Sequence, residues 1–294
     1  MSIALLIAAA AAGVCPVTEV AGAPGENHVM FHGLSPDGRT LAVGWDREAK
    51  GATERGAYLL DLRTHRKSEL PTLNNAPSFS PSGRFLVSAN YAADPSLRTE
   101  IVEFDRRNGT SRTYASGASA EWLASYSPDG RSILFNSTRS GASDLYRFKR
   151  EEGLLDRLTR DPRYEAHGQY VDGGRRVIFH RQTDGDNYDI VIRDLKTRGE
   201  WLVGATPAEE AYPAMSPNGR WIALSAVPTP GSLPNLYLMR RDGSARVRLT
   251  ETPMKDAYAT WSPDGRSLLF VRFGPGGSKI YRMDVEDGRC RHRQ

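Results

Sequence analysis

The sequence is poor in the residues from which most reactive sites are built. Only two cysteines, Cys15 and Cys290, occur in 294 residues. That is too few for the disulfide framework of a small secreted domain or for a cysteine-ligated zinc site. The six histidines, at 28, 32, 65, 167, 180 and 292, are scattered rather than spaced as metal ligands. No Gly-x-Ser-x-Gly elbow is present, so the nucleophile of the α/β-hydrolases is missing. Gly-rich stretches such as Gly274-Pro-Gly-Gly277 lack the Lys-Ser/Thr ending of a phosphate-binding loop. Lys and Arg exceed Asp and Glu by only four, 39 against 35, which argues against nucleic acid as a partner. The densest basic run, Arg289 to Arg293, reads as a solvated tail. No apolar stretch approaches the roughly 20 residues of a membrane span.

What the sequence has in abundance is one pentapeptide. Ser35-Pro-Asp-Gly-Arg39, Ser127-Pro-Asp-Gly-Arg131 and Ser262-Pro-Asp-Gly-Arg266 are identical. Ser80-Pro-Ser-Gly-Arg84 and Ser216-Pro-Asn-Gly-Arg220 differ at one position each, and Val171-Asp-Gly-Gly-Arg175 is a degraded sixth copy. The arginines are spaced by 45, 47, 44, 45 and 46 residues, the period of a repeat architecture. Pro sets φ at the first corner of a turn, Asp or Asn suits the second, and Gly takes the left-handed position. Strands are therefore expected on both sides of every copy.

The strand after each turn carries consecutive apolar residues: Leu41-Ala-Val43, Ile133-Leu-Phe135, Val177-Ile-Phe179, Ile222-Ala-Leu224 and Leu268-Leu-Phe270. Leu86-Val87 followed by Ser88 is the partial exception. A strand apolar on both faces is buried on both faces, so these sheets stack on their neighbours. A loop, a third strand such as Ile280-Tyr-Arg-Met283, and a weaker, polar fourth strand complete each unit. Weak outer strands suit an edge that meets water. Four antiparallel strands every 45 residues or so describe a propeller blade, and six copies predict an all-β, six-bladed β-propeller over residues 24–294.

Residues 1–23 read as a signal peptide with an uncertain cleavage site. Ile3 to Ala12 is apolar and Ala-rich, and no charge precedes Glu19. The chain is accordingly expected to be periplasmic or secreted, with no transmembrane span in the mature form. Val14 is a poor lead-in for a lipoprotein anchor at Cys15. Because the ends of a closed ring meet, Cys15 and Cys290 could form a bridge. The processing argument favours the other outcome, in which Cys15 leaves with the leader and Cys290 stays a lone thiol.

The repeat Ala257-Tyr-Ala-Thr-Trp-Ser-Pro-Asp-Gly-Arg-Ser-Leu-Leu-Phe270 followed by Ile280-Tyr-Arg-Met-Asp284 resembles the TolB-like propeller repeat. Residues Ile133 to Leu145 are similar to it almost as closely. The resemblance covers the propeller only and not the α/β domain that precedes it in the family's namesake. It implies a WD40-like fold, residence in the cell envelope, a protein or peptide partner there, and a monomer. Related repeats also occur in oligogalacturonate lyases, which use a His-rich metal site, so a propeller enzyme acting on a carbohydrate or peptide is the alternative. A hydrolase would be a second form of it.

Aligning the six copies on the turn exposes one informative column. Six residues before the turn stand Val29, Asn74, Glu121, Glu165, Glu210 and Asp256. Two residues later stand Phe31, Ala76, Leu123, His167, Tyr212 and Tyr258. The first strand of a propeller blade lines the channel, so these side chains are expected at one channel mouth. Together with Tyr91 in a loop on that face, the acids, His167, Tyr212 and Tyr258 form the predicted partner-binding set. Converging carboxylates suit a basic peptide segment or a channel cation such as Ca2+. No other cofactor is expected, and Glu165 with His167 comes nearest to a metal-ligand pair. The competing reading is that Arg139, Arg181 or Arg272 neutralises each acid across a blade boundary. A ring of repeat-equivalent acids is explained more simply by the repeat than by glycosidase-type acid/base work, which favours a binding module over an enzyme.

Overall fold

The computed structural model describes residues 14–30, 32–92, 98–117, 119–183, 185, 187–204, 206, 208–227, 229 and 231–291. The apolar stretch from Ile3 to Ala12, Phe31 and His292 lie outside the described residues. Within them the predicted turns do what their residues dictate. At the first copy the Ser35 hydroxyl donates to Asp37 Oδ1 at 2.6 Å and accepts from the Thr40 amide at 2.9 Å. Asp37 Oδ1 also takes the Arg39 amide at 3.1 Å, and the Gly38 amide closes the turn onto the Ser35 carbonyl at 2.8 Å. Gly38 sits at φ 70°, where a side chain would be strained.

Each turn joins the first strand of a blade to the second, and the first five blades are four-stranded antiparallel sheets in sequence order, the sixth taking its outer strand from the other end of the chain. The third blade, for example, runs Glu121–Tyr126, Ser132–Ser140, Ala142–Lys149 and Leu154–Arg157. Six such blades form the propeller, with no α-helix among the described residues and one 3-10 turn at Asp172–Gly174. No helix there is long and apolar enough to cross a membrane. The second strands are buried on both faces as expected, Leu41, Ala42 and Val43 being wholly inaccessible. The core is a set of seams between blades. Leu134, Leu145 and Leu158 of the third blade interlock with Val177, Phe179 and Val191 of the fourth. Such burial is worth roughly 25 cal/mol per Å2 of apolar surface.

The motif also links blades on one face of the disc. A Cβ on Gly38, Gly83, Gly130, Gly174 or Gly265 would lie 3.3–3.7 Å from Pro263, Pro36, Pro81, Pro128 or Pro217, respectively. Each proline therefore packs on the turn of the next blade. The one junction without a proline is the degraded fourth copy, where Asp172 occupies that place at φ 54°. Arg241 of the fifth blade grips Asp172 there with two bonds of 2.5 Å and lies against Gly219. A bidentate ion pair thus replaces the proline contact. These bonds hold the Asp172 carboxyl down at about 2.

The sixth blade corrects two expectations. Its outermost strand is not C-terminal. Val17–Ala21 pairs antiparallel with Gly277–Glu286, in register Val17 with Met283 and Glu19 with Tyr281. The propeller thus begins ahead of residue 24. Cys15, just before this strand and 3% exposed, is disulfide-bonded to Cys290. The expectation of a departing Cys15 and a lone Cys290 thiol therefore fails. Among the described residues past Gly288 the one strand is the two-residue Arg289–Cys290, and the edge of the third strand is covered from the other end of the chain.

Candidate functional site

The acidic column is real, but its carboxylates do not face the channel mouth. Glu121, Glu165, Glu210 and Asp256 are all fully buried. Glu121 accepts bonds from Ser119, Ser137 and Arg139 at 2.7–2.8 Å. Arg181 Nε donates to Glu165 at 2.6 Å, and Arg272 grips Asp256 at 2.7 and 2.9 Å. Glu210 is bonded to Arg246 and to Thr206 at 3.0 Å. Every pair joins partners in one blade rather than across a boundary, because the arginine at 139, 181 or 272 lies on the strand beside its acid. The fifth blade has Ala226 at the place of Arg181 and Arg272, and Arg246 reaches in over Tyr237 instead. In the first two blades the column is not acidic. Asn74 there bonds the backbone of Tyr91 at 2.8 and 2.9 Å.

Burial dominates the ionisation of Glu165 and Glu210. It pushes Glu165 up to about 7 despite Arg181, and raises Glu210 despite Arg246. A guanidinium occupies one oxygen each of Glu121, Glu165 and Glu210 and both oxygens of Asp256. Glu165 Oε2 and Glu210 Oε2 are left with no hydrogen bond. Among the described residues no three His, Cys, Asp or Glu side chains stand together as metal ligands.

The second column does enter the channel. In blades three to six the first strand carries a bulge, and its central residue is left-handed: Leu123 at φ 60°, His167 at 58°, Tyr212 and Tyr258 at 57°. A bulge re-aims a side chain, here toward the axis. The rings of His167, Tyr212 and Tyr258 meet at centroid distances of 4.5–5.5 Å. His32 of the first blade, also left-handed at φ 50°, closes the group around a cavity of only about 10 Å3. His180 packs 4.7 Å from His167 and accepts the Tyr212 amide at 3.1 Å. Tyr91 belongs to a separate contact on the first two blades, under the Arg55 guanidinium.

These imidazoles are held neutral by burial: His32 is lowered to about 4, His180 to about 3, and His167 well below its ordinary value. Because the unfolded chain takes up these protons near pH 6.5 and the folded chain refuses them, stability falls as pH drops below 6.5. Glu165 acts oppositely, gaining its proton in the folded state first. Each histidine should steepen the loss by up to about 1.4 kcal/mol per pH unit. Urea midpoints between pH 7 and 4.5 should therefore fall for the parent chain and fall less steeply for His180→Gln. Equal slopes would contradict the assignment.

Beyond this plug, on the face of the repeated turns, the channel opens into a funnel of about 610 Å3 lined by all six blades. Its rim is the second position of each copy: Pro36, Pro81, Pro128, Asp172, Pro217 and Pro263. Its wall includes Tyr170, Met215 and Trp261, and the Trp261 indole donates to the Ala214 carbonyl at 2.9 Å. His32 forms the floor that the funnel shares with the plug. The funnel's charged pair, Asp172 and Arg241, is internally bonded. Column counting missed this face, although the prolines that rim it are the most visible residues in the sequence.

The profile of the TolB beta propeller domain matches residues 23–228 and again 186–293. The chain belongs to the TolB β-propeller family. A TolB homologue of Chlorobium luteolum is 26% identical over 165 residues, which span 55% of this chain but only 36% of that protein. The crystal structure of TolB from Acinetobacter baumannii superposes with a TM-score of 0.63 at 25% identity, over 83% of this chain and 56% of that one. An oligogalacturonate lyase in complex with manganese superposes at 0.62 over 95% of both chains, at 14% identity, a likeness of fold alone. TolB and a lyase thus share this propeller, and the fold does not choose between binding and catalysis.

Proposed function

We propose that this TolB-family propeller is an exported, non-enzymatic scaffold that binds an envelope protein or peptide segment in the turn-face funnel. One observation carries the reading. The funnel of about 610 Å3 is built from turns and prolines, its ionic pair is self-neutralised, and the Tyr126 hydroxyl beside it is committed to Glu103 at 2.9 Å. Such a wall offers shape and mixed polar and apolar contact rather than a poised acid or base. The family's TolB members support an envelope partner.

Pro217 and Pro81 are exposed on the rim, so tryptophan at both should narrow the funnel, at the cost of their packing on the turns at Gly265 and Gly130, and thermal melts verify that the variant is folded. Capture of a stoichiometric partner from an envelope fraction should fall at least about tenfold, while Tyr91→Arg on the opposite face leaves it unchanged. Capture lost with Tyr91→Arg but kept by the rim variant would overturn the proposal.

A further inference from the structure

The outer strands of the blades are unpaired edges, and most are guarded by polar residues. Lys67–Glu69 in the first blade exposes Lys, Ser and Glu, and Val247–Arg248 in the fifth is half-buried. The third and fourth blades break the pattern. Leu154 and Leu155 are 53% and 39% exposed on one edge, and Trp201 and Leu202 are 39% and 53% exposed on the next. They make up four of the seven large apolar side chains exposed among the described residues. Apolar edge strands of this kind are association sites unless something covers them.

The turns leading into the two edges carry opposite charge. Glu151 and Glu152 precede the Leu154 edge, and Lys196 and Arg198 precede the Trp201 edge, all four exposed. Both turns lie on the face of the repeated motif, since the Arg150 and Leu195 amides bond to the carbonyls of Arg131 and Arg175. Present neighbours are local: Glu152 meets Lys149 at 2.9 Å, and Arg176 stacks on Trp201 at 5.1 Å.

We propose that these two edges form the interface of a homodimer whose two-fold axis runs parallel to the propeller axis. That rotation keeps both motif faces on one side. It sets the third blade of one copy against the fourth of its partner, twice. Acidic turn then meets basic turn, and the leucine edge meets the Trp201–Leu202 edge, in both halves of an isologous contact. The other lateral arrangement, with the discs inverted, would set each edge against its own copy and place the two acidic turns, like the two basic ones, on opposite faces, where no opposite charges meet. A dimer takes the place of the monomer expected from the sequence.

The test is sedimentation of the full 32.4 kDa chain, with thermal melts to verify folding. The parent should sediment as a dimer at about 100 µM or below, and Leu154→Glu with Leu202→Glu should weaken association by at least about 100-fold. Glu151→Lys/Glu152→Lys should be monomeric alone, as should Lys196→Glu/Arg198→Glu. Mixed, these two folded variants should form a heterodimer, because both contacts are then of opposite charge. A parent that stays monomeric at that concentration overturns the proposal. So does a dimer indifferent to both charge reversals, or a mixture that fails to associate.

Discussion

Replacing Cys290 with serine lowers the stability of the propeller by about 2–5 kcal/mol, the range for loss of a native disulfide. The bridge spans a sequence separation of 275, so it closes almost the whole chain into one loop. Its local effect is as important. Val17–Ala21 is a five-residue edge strand held by its ladder to Gly277–Glu286 and by burial of Ala21. Cys15 fixes the free end of that strand, and its amide bonds to the Leu249 carbonyl of the fifth blade at 2.9 Å. Without the bridge the strand can fray, exposing the edge above Ile280 and Met283, which are buried now. Urea unfolding of the oxidised parent and the serine variant measures the loss, and a reductant should destabilise the parent alone. A difference below about 0.5 kcal/mol would show that the ladder closes the ring unaided.

Arg272→Met is expected to cost a similar amount, about 3–5 kcal/mol, because it strands the Asp256 carboxylate in a fully buried place. The double change Asp256→Asn with Arg272→Met should recover most of it. Arg272 also stacks on Tyr281 at 4.9 Å and on Phe270 at 5.5 Å, so methionine keeps part of that packing. A double-mutant cycle separates the terms. If both single variants and the double lose the same small amount, the acidic column is not a structural device, and its part in recognition reopens.

The fold was legible because the repeat is written in residues with strict backbone demands. A Pro-Asp-Gly corner every 45 residues or so, followed by three apolar residues, leaves little choice besides stacked four-stranded blades. The acidic column was legible as a column but not as a place. Counting back from the turn assigns residues to a strand end, whereas burial depends on which arginine arrives beside them. Arg246 illustrates this, since it comes from the segment just before the fourth strand of its blade and no fixed offset finds it. The channel plug was half legible. His167, Tyr212 and Tyr258 were found, but the first blade contributes His32, left-handed and just past the end of its first strand at Val29, which the column did not include. The disulfide was legible only as a pairing of chain ends, and leader processing was the wrong argument with which to weigh it.

The most direct test of the account maps contact with the partner onto the two faces of the disc. A photo-crosslinking residue at position 217, on the funnel rim, is compared in cells with one at position 91, on the opposite face. A discrete protein adduct from 217 and none from 91 is the predicted result. An adduct from 91 alone, or turnover of an oligosaccharide or peptide by the purified chain, would contradict it.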